Sequence, residues 1–193
     1  MDMREPIVTT RTRIRPWAER DRPAIHRLNS DETVMRFFPF RRSREESDAL
    51  LDELSRRLKD DGYSFLALDV EGSRQAVGML GMVRLDPKMP SAPGIEIGWR
   101  LLPEHWGKGY VTEASAACLD RAFADPDALD EIVSFCVDGN HASEAVMLRL
   151  GFVRGPDFDH PKVPAATHPE LVRHRFYRLS RTAWLEARTA MSS

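Results

Sequence analysis

The sequence predicts an α+β fold, a mixed and mostly antiparallel twisted sheet of about seven strands flanked by helices. Three observations carry that expectation. Seven segments read as strands, and most can pair with a chain neighbour as hairpins. Helical segments lie between them without the strict alternation of a doubly wound sheet. The third is the stretch from Ile95 to Ala114, where a strand runs through a glycine-flanked turn into a helix.

Thr10–Trp17 is the first expected strand, with Thr10, Thr12, Ile14 and Pro16 alternating with arginines. A helix is expected over Ala18–Leu28, with Asp21 and Pro23 near its start, then a break at Asn29-Ser30-Asp31. Val34–Phe40 is aromatic and reads as a short helical turn ending before Pro39. Ser43 with Glu46 three residues on is a capping-box pattern. The helix after it carries Leu50, Leu51, Leu54 and Leu58 on one face and Asp52/Arg56 and Glu53/Arg57 pairs, and ends at Gly62. Tyr63–Val70 and Ala76–Leu85 are strands around a Glu71-Gly72-Ser73 turn. Gly78 and Gly81 in the second predict a bulge or the close approach of another group. Pro87–Gly94 is a loop and Asp125-Pro126-Asp127 a stop. Glu131–Val137 is an apolar strand, His141–Leu150 a helix terminated by Gly151, and Phe152-Val153 the start of another strand. Gly155–Pro169 is irregular, His174–Leu179 is the last strand, and Thr182–Ala190 a terminal helix.

A length of 193 residues suits one domain over 1–193 with a substantial core. With 30 acidic and 28 basic residues the net charge is −2, so no basic excess points to nucleic acid. No window is long and apolar enough for a membrane span, and no apolar run follows the N-terminus as in a signal peptide, so a cytoplasmic location is expected. Cys118 and Cys136 lie in apolar segments and read as reduced core thiols; their spacing suggests neither a metal nor a disulfide. A homodimer is left open.

The chemistry concentrates in the stretch from Ile95. Ile95, Ile97, Trp99 and Leu101 alternate with Glu96, Gly98 and Arg100, Pro103 breaks the ladder, and Gly107-Lys108-Gly109 precedes a helix carrying Val111, Ala114, Cys118 and Ala122. A strand that turns into a helix N-terminus offers several unpaired backbone N–H groups at one point, which attracts an anion and above all a phosphate. The spacing is neither that of a P-loop nor that of a dinucleotide fold. A tight connection needing glycine for its backbone alone is an equal reading of the turn by itself.

A second segment, Asn140 to Phe152, changes that balance. Glu104-His-Trp-Gly-Lys-Gly109, followed one helix and one strand later by Asn140, Ser143 and Gly151-Phe152, resembles the GNAT superfamily of N-acetyltransferases. Within it, the resemblance is strongest to the branch of the ribosomal-protein N-terminal acetyltransferases. The order of elements from Thr10 to Phe152 fits as well, and the segment holding His160, His168 and His174 resembles tails of that branch. Glu104 departs from the Arg or Gln usual at its position.

The resemblance implies acetyl-CoA as cosubstrate, bound where the two central parallel strands that begin at Ile95 and Glu131 splay apart. Backbone groups of Arg100, Leu101 and Leu102 would bind the pantetheine amides as a sheet edge binds a strand. The N–H groups of Trp106, Gly107, Lys108, Gly109, Tyr110, Val111 and Thr112 would hold the pyrophosphate at the helix dipole, with a charge-assisted contact or mere solvation for the Lys108 side chain. Asn140 would reach the cofactor arm, cap the next helix, or both. The reaction implied is direct attack of a neutral amine on the thioester, with removal of an amine proton and return of a proton to the thiolate. Glu96, on the face opposite Ile95 and Ile97, is the first candidate base; pairing with an arginine is the competing role. The family often has a Tyr where this chain has Met147, which cannot donate, so Ser143 or a water it orients is the expected donor to sulfur.

The Phe37-Phe38-Pro39-Phe40 run and the leucine-faced helix fall where the family shapes its acceptor pocket, though both also read as core. An α-amine titrates near pH 8, against about 10.4 for lysine, and a weak base suits the former. The acceptor expected is a protein N-terminus, an amino acid or a small amine. Alternatives are a detoxifying or antibiotic acetyltransferase, a non-catalytic acyl-CoA-binding module, and a nucleotide triphosphate site at the glycine turn.

Overall fold

The computed structural model describes residues 2–124 and 129–191, so the stop expected at Asp125-Pro126-Asp127 lies outside the described residues. The strands are β1 (Ile7–Val8), β2 (Thr12–Arg15), β3 (Phe65–Val70), β4 (Gly78–Arg84), β5 (Ile95–Leu101), β6 (Glu131–Val137), β7 (Val153–Arg154), β8 (Phe158–Asp159) and β9 (Arg173–Ser180). The helices are α1 (Arg22–Ser30), α2 (Arg44–Asp61), α3 (Tyr110–Phe123), α4 (His141–Arg149) and α5 (Arg181–Met191). The sheet runs β1-β2-β3-β4-β5-β6-β9-β7, with β8 also on β9. Every pair is antiparallel except β5–β6. The mostly antiparallel α+β sheet is therefore as expected. The two strands beyond seven, β1 and β8, are two residues long, too short to show a period-two pattern.

Alternation along the central strands sorts their side chains between two cores. Leu66, Leu68, Leu80, Met82, Ile95 and Ile97 face one side, where α3 adds Ala114, Cys118 and Ala122 and α4 adds Met147. Ala67 and Met79 face the other, under Ile25 and Leu28 of α1 and Leu51 and Leu54 of α2. Close packing explains the strand glycines: a Cβ at Gly81 would stand 2.0 Å from the Ser64 carbonyl oxygen, and one at Gly78 2.6 Å from that of Arg100.

Some local expectations need correction. The first strand is shorter than Thr10–Trp17, because Thr9 and Thr12 close a turn through the bond from Thr9 N to Thr12 O, 2.9 Å. Over Val34–Phe40 the chain forms single helical-type turns, closed by Met35 N to Asp31 O at 3.0 Å and Phe38 N to Met35 O at 2.9 Å, the last ending before Pro39 as expected. The capping box forms, Ser43 Oγ accepting from Glu46 N at 3.2 Å and Ser43 N donating to Glu46 Oε2 at 2.8 Å, and α2 ends at Gly62 with φ +82°. Glu53 pairs with Arg57, but Asp52 does not take Arg56: it pairs with Arg22 of α1, while Arg56 joins Glu53 and Asp60. One buried cluster was not foreseen. Arg15 of β2 bridges Asp21, at 2.6 Å, and Asp69 of β3, also at 2.6 Å, tying the start of α1 to the sheet.

Candidate active site

The parallel pair positions the site. β5 and β6 share a single bridged register, Glu96 opposite Val133, and beyond it the strands diverge. Two hydrogen bonds fix which β5 groups face the gap. Leu102 N donates to Val77 O and Leu85 N to Gly94 O, both at 2.9 Å. In an antiparallel ladder these set the parity, so the backbones of Glu96, Gly98, Arg100 and Leu102 are turned to β4. Those of Ile97, Trp99 and Leu101 are turned to the gap. The Ser134 hydroxyl of β6 donates to the Ile97 carbonyl at 2.9 Å, so a side chain takes over where the backbone ladder fails. The Leu101 carbonyl accepts from the Trp106 indole at 2.6 Å. Trp99 N–H and C=O and Leu101 N–H are the groups left at the open edge.

The glycine turn lies at the end of this edge. Gly107 has φ +73° and Gly109 +78°, the left-handed region that favours glycine, and nothing stands within 4 Å of a Cβ at Gly107. No side chain caps α3; its first helical bond runs from Glu113 N to Gly109 O at 3.1 Å. The N–H groups of Tyr110 to Thr112 precede that bond and are free of intrahelical partners. Trp106 N–H, by contrast, is donated to Pro103 O at 3.1 Å. Arg11 braces the turn from across the sheet: its guanidinium donates to Lys108 O at 3.0 Å, pairs with Glu113 at 2.7 Å and stacks 5.2 Å from the Tyr110 ring. Glu104 pairs with Arg27 of α1 at 2.8 Å, which gives that departure from the usual Arg or Gln a local structural role.

A cleft of about 1150 Å³ runs through the gap. Its walls bring together Glu96, Arg100, Leu101, every residue from Trp106 to Thr112, Asn140 and Ser143. Leu102 is packed instead into the α1–α2 core. Asn140 caps α4, its Oδ1 accepting from Ser143 N at 3.3 Å. The Ser143 hydroxyl has no hydrogen-bond partner among the described residues. Met147 is fully buried in the core beneath.

Glu96 stands on the opposite face of β5 from α3. Burial pushes its carboxyl up to about 7, against weaker opposing effects of Arg100 and Lys162. It forms no ion pair or hydrogen bond among the described residues, so the arginine-paired reading is not what is observed. Near it His160 and His174 stack 4.7 Å apart, with Phe135 and Phe158 around them. His160 Nδ1 accepts from Lys162 N at 3.1 Å, and His174 Nδ1 faces Val172 O at 3.1 Å. Burial holds both rings below their usual range, His160 at about 4, so they are neutral at pH 7. Both line the cleft. His168, from the same segment, instead bonds its neighbour Thr167 at 2.9 Å. Cys118 and Cys136 are free, and burial pushes both thiols up to about 12.

Sequence reasoning missed Trp99, Ser134 and Arg11. Trp99 required the β4–β5 register. Ser134 was detectable as the lone polar residue inside the apolar run Ile132–Val137. Arg11 is 97 residues from Lys108 and carries no local signal.

A splayed parallel pair above an uncapped helix N-terminus makes a cleft with free backbone donors, suited to an extended, anionic ligand. A family profile described as acetyltransferase (GNAT) domain matches residues 11–153, more than half of the chain, and the chain belongs to that family of acetyltransferases. The uncharacterized N-acetyltransferase YnaD of Bacillus subtilis (strain 168) is 28% identical over 148 residues, covering 77% of this chain and 82% of YnaD. Among solved structures, the GNAT-family acetyltransferase from Bacillus anthracis superposes with a TM-score of 0.76 at 23% identity, covering 92% of this chain and 99% of that one. The microcin C7 self-immunity acetyltransferase MccE, solved with acetyl-CoA and AMP, gives 0.71 at 16% identity, over 89% and 93% of the two chains. Among the described residues no cluster of His, Cys, Asp or Glu could hold a metal ion, and no helix is long and apolar enough to cross a membrane.

Proposed function

We propose that the chain is one N-acetyltransferase domain that moves an acetyl group from acetyl-CoA to a primary amine by direct attack. The observation that carries the reading is the single β5–β6 bridge at Glu96 and Val133. It opens a slot whose edge carries free backbone groups and leaves beside it, on the face away from α3, a carboxyl titrating at about 7. Acetyl-CoA supplies the activated acetyl group. The backbone of Trp99 and Leu101 would hold its pantetheine amides by strand addition. The N–H groups from Gly107 to Thr112 would hold its pyrophosphate at the positive end of α3. Asn140, engaged as the cap of α4, lies beside the path of the arm.

Glu96 takes a proton from the bound ammonium, directly or through a water, and a carboxyl titrating at about 7 suits that role at neutral pH. The unpartnered Ser143 hydroxyl is the donor that returns a proton to the departing thiolate; Met147 can neither donate nor reach the cleft. A base of this strength suits an α-amine better than a lysine side chain. The Asn140–Phe152 segment, like that of the ribosomal-protein branch, agrees with an α-amine acceptor. The test is thiol release from acetyl-CoA across α-amino peptides, amino acids, polyamines and aminoglycosides. The expected result is turnover with α-amines. Saturable coenzyme A binding with no turnover on any of them would instead mark a binding module.

A further inference from the structure

The cationic end of the acceptor face has no ion-pair partner among the described residues. Of the four arginines that line the cleft, Arg11 pairs with Glu113, Arg36 and Arg149 are exposed, and Arg100 is partly buried without an ion pair among the described residues. Arg42, packed beside Arg100, forms no ion pair among the described residues either. They are held together from below by Asn29, which is fully buried. Arg100 Nη1 donates to Asn29 Oδ1 at 2.5 Å, and Arg42 N donates to Asn29 O at 3.0 Å. Because the guanidinium must have an acceptor, the Asn29 oxygen is fixed towards Arg100, and its Nδ2 is left with nothing to donate to. The buried Nε of Arg42 is likewise without a partner. The rings of Phe38 and Phe40 line the cleft, Arg100 lying 4.4 Å from the first and Arg42 4.9 Å from the second.

Burial and the neighbouring Arg42 pull Arg100 down to about 10. An anion placed in the cleft against Arg100 would restore the balance, and planar guanidinium forks do this best for a carboxylate. Arg100 and Glu96 share one face of β5, four residues apart, or about 13 Å along the strand. Gly98 between them has no side chain, and the Phe65 ring sits 3.1 Å from where its Cβ would be.

Building on the acetyltransferase reading, we propose that the acceptor is an amine that also bears a carboxylate, with its amine at Glu96 and its carboxylate held by Arg100, the charge of Arg42 lying behind it. The Phe65 ring supports the span between the two ends.

The experiment compares short dipeptides carrying a free C-terminal carboxylate with the same dipeptides as carboxamides. A charge-assisted site predicts a kcat/KM for the acids roughly ten- to a hundredfold above the amides, expressed mainly in KM. In Arg42→Gln and, separately, Arg100→Gln that ratio should fall towards one. Equal kcat/KM for acid and amide in the unmodified enzyme overturns the proposal while leaving the acetyltransferase reading intact, and that arm needs no variant to fold. A preference that survives both substitutions overturns it too. If coenzyme A binds and no amine turns over, the acetyltransferase reading is what fails. Calorimetry of acid against amide on the coenzyme A-loaded protein then decides the carboxylate site alone, with equal affinities again overturning it.

Discussion

Glu96 combines two properties that pull in opposite directions, catalytic fitness and a cost to folding. Its carboxyl rises from an ordinary 4.5 to about 7 because it is buried without a partner. Between those values the folded state keeps a proton that the unfolded state has lost, so stability falls as pH rises through this window. Replacing it with Gln removes that penalty. The variant is expected to be more stable than the parent above pH 7 by up to about 3 kcal/mol, at about 1.4 kcal/mol per pH unit, and equally stable below pH 4.5. Urea unfolding at the two extremes checks this. In activity the same variant should lose roughly a hundredfold or more in kcat/KM and lack the acid limb near pH 7, with coenzyme A affinity intact. A parental pH profile would remove Glu96 as the base. For Ser143→Ala the expectation is a fall in kcat of about ten- to a hundredfold, because water can partly replace the hydroxyl, again without loss of coenzyme A affinity; an unchanged kcat would end its role at sulfur.

At the scale of elements, the glycine turn and α3 act as one unit. A side chain at Gly109 would sit in a left-handed residue, φ +78°, and its Cβ would approach Arg11 Nη2 at 3.4 Å. Gly109→Trp should abolish coenzyme A binding in a calorimetric titration while the circular dichroism of the sheet persists. Unchanged affinity would sink the pyrophosphate assignment. The Arg15 cluster is a different case, since it touches no part of the cleft. Arg15→Met leaves the fully buried Asp21 carboxylate without its guanidinium and should cost about 3–5 kcal/mol in thermal or urea unfolding. Periodicity made the long elements legible: β5, α2 and α3 fall where alternation and capping place them. It could not show the Arg15 cluster or the Arg22–Asp52 pair, because partners from separate elements leave no trace in local spacing.

For the molecule as a whole, the two motifs were readable because each is continuous in the chain: a glycine turn into α3, and an asparagine cap into α4. What brings them to one cleft is the divergence of β5 from β6, and that was inferred only through family likeness. The parity of the β5 backbone is the clearest gap. Arg100 and Leu102 stood as candidates beside Leu101, yet only alternate residues can turn their amides to the opening, and the choice depends on hydrogen bonds to β4. The Arg100 side chain has instead a face of its own, visible only once α1 and the aromatic turns are folded against it. The two buried cysteines also shape how the protein can be studied. A disulfide reagent that colours on meeting a thiolate should find none in the folded chain at neutral pH, with both thiols held at about 12. Each acetyl transfer liberates one reactive thiol from the cosubstrate. The same cuvette can therefore count turnovers against a blank baseline, and two extra equivalents per chain would announce that the protein has come apart.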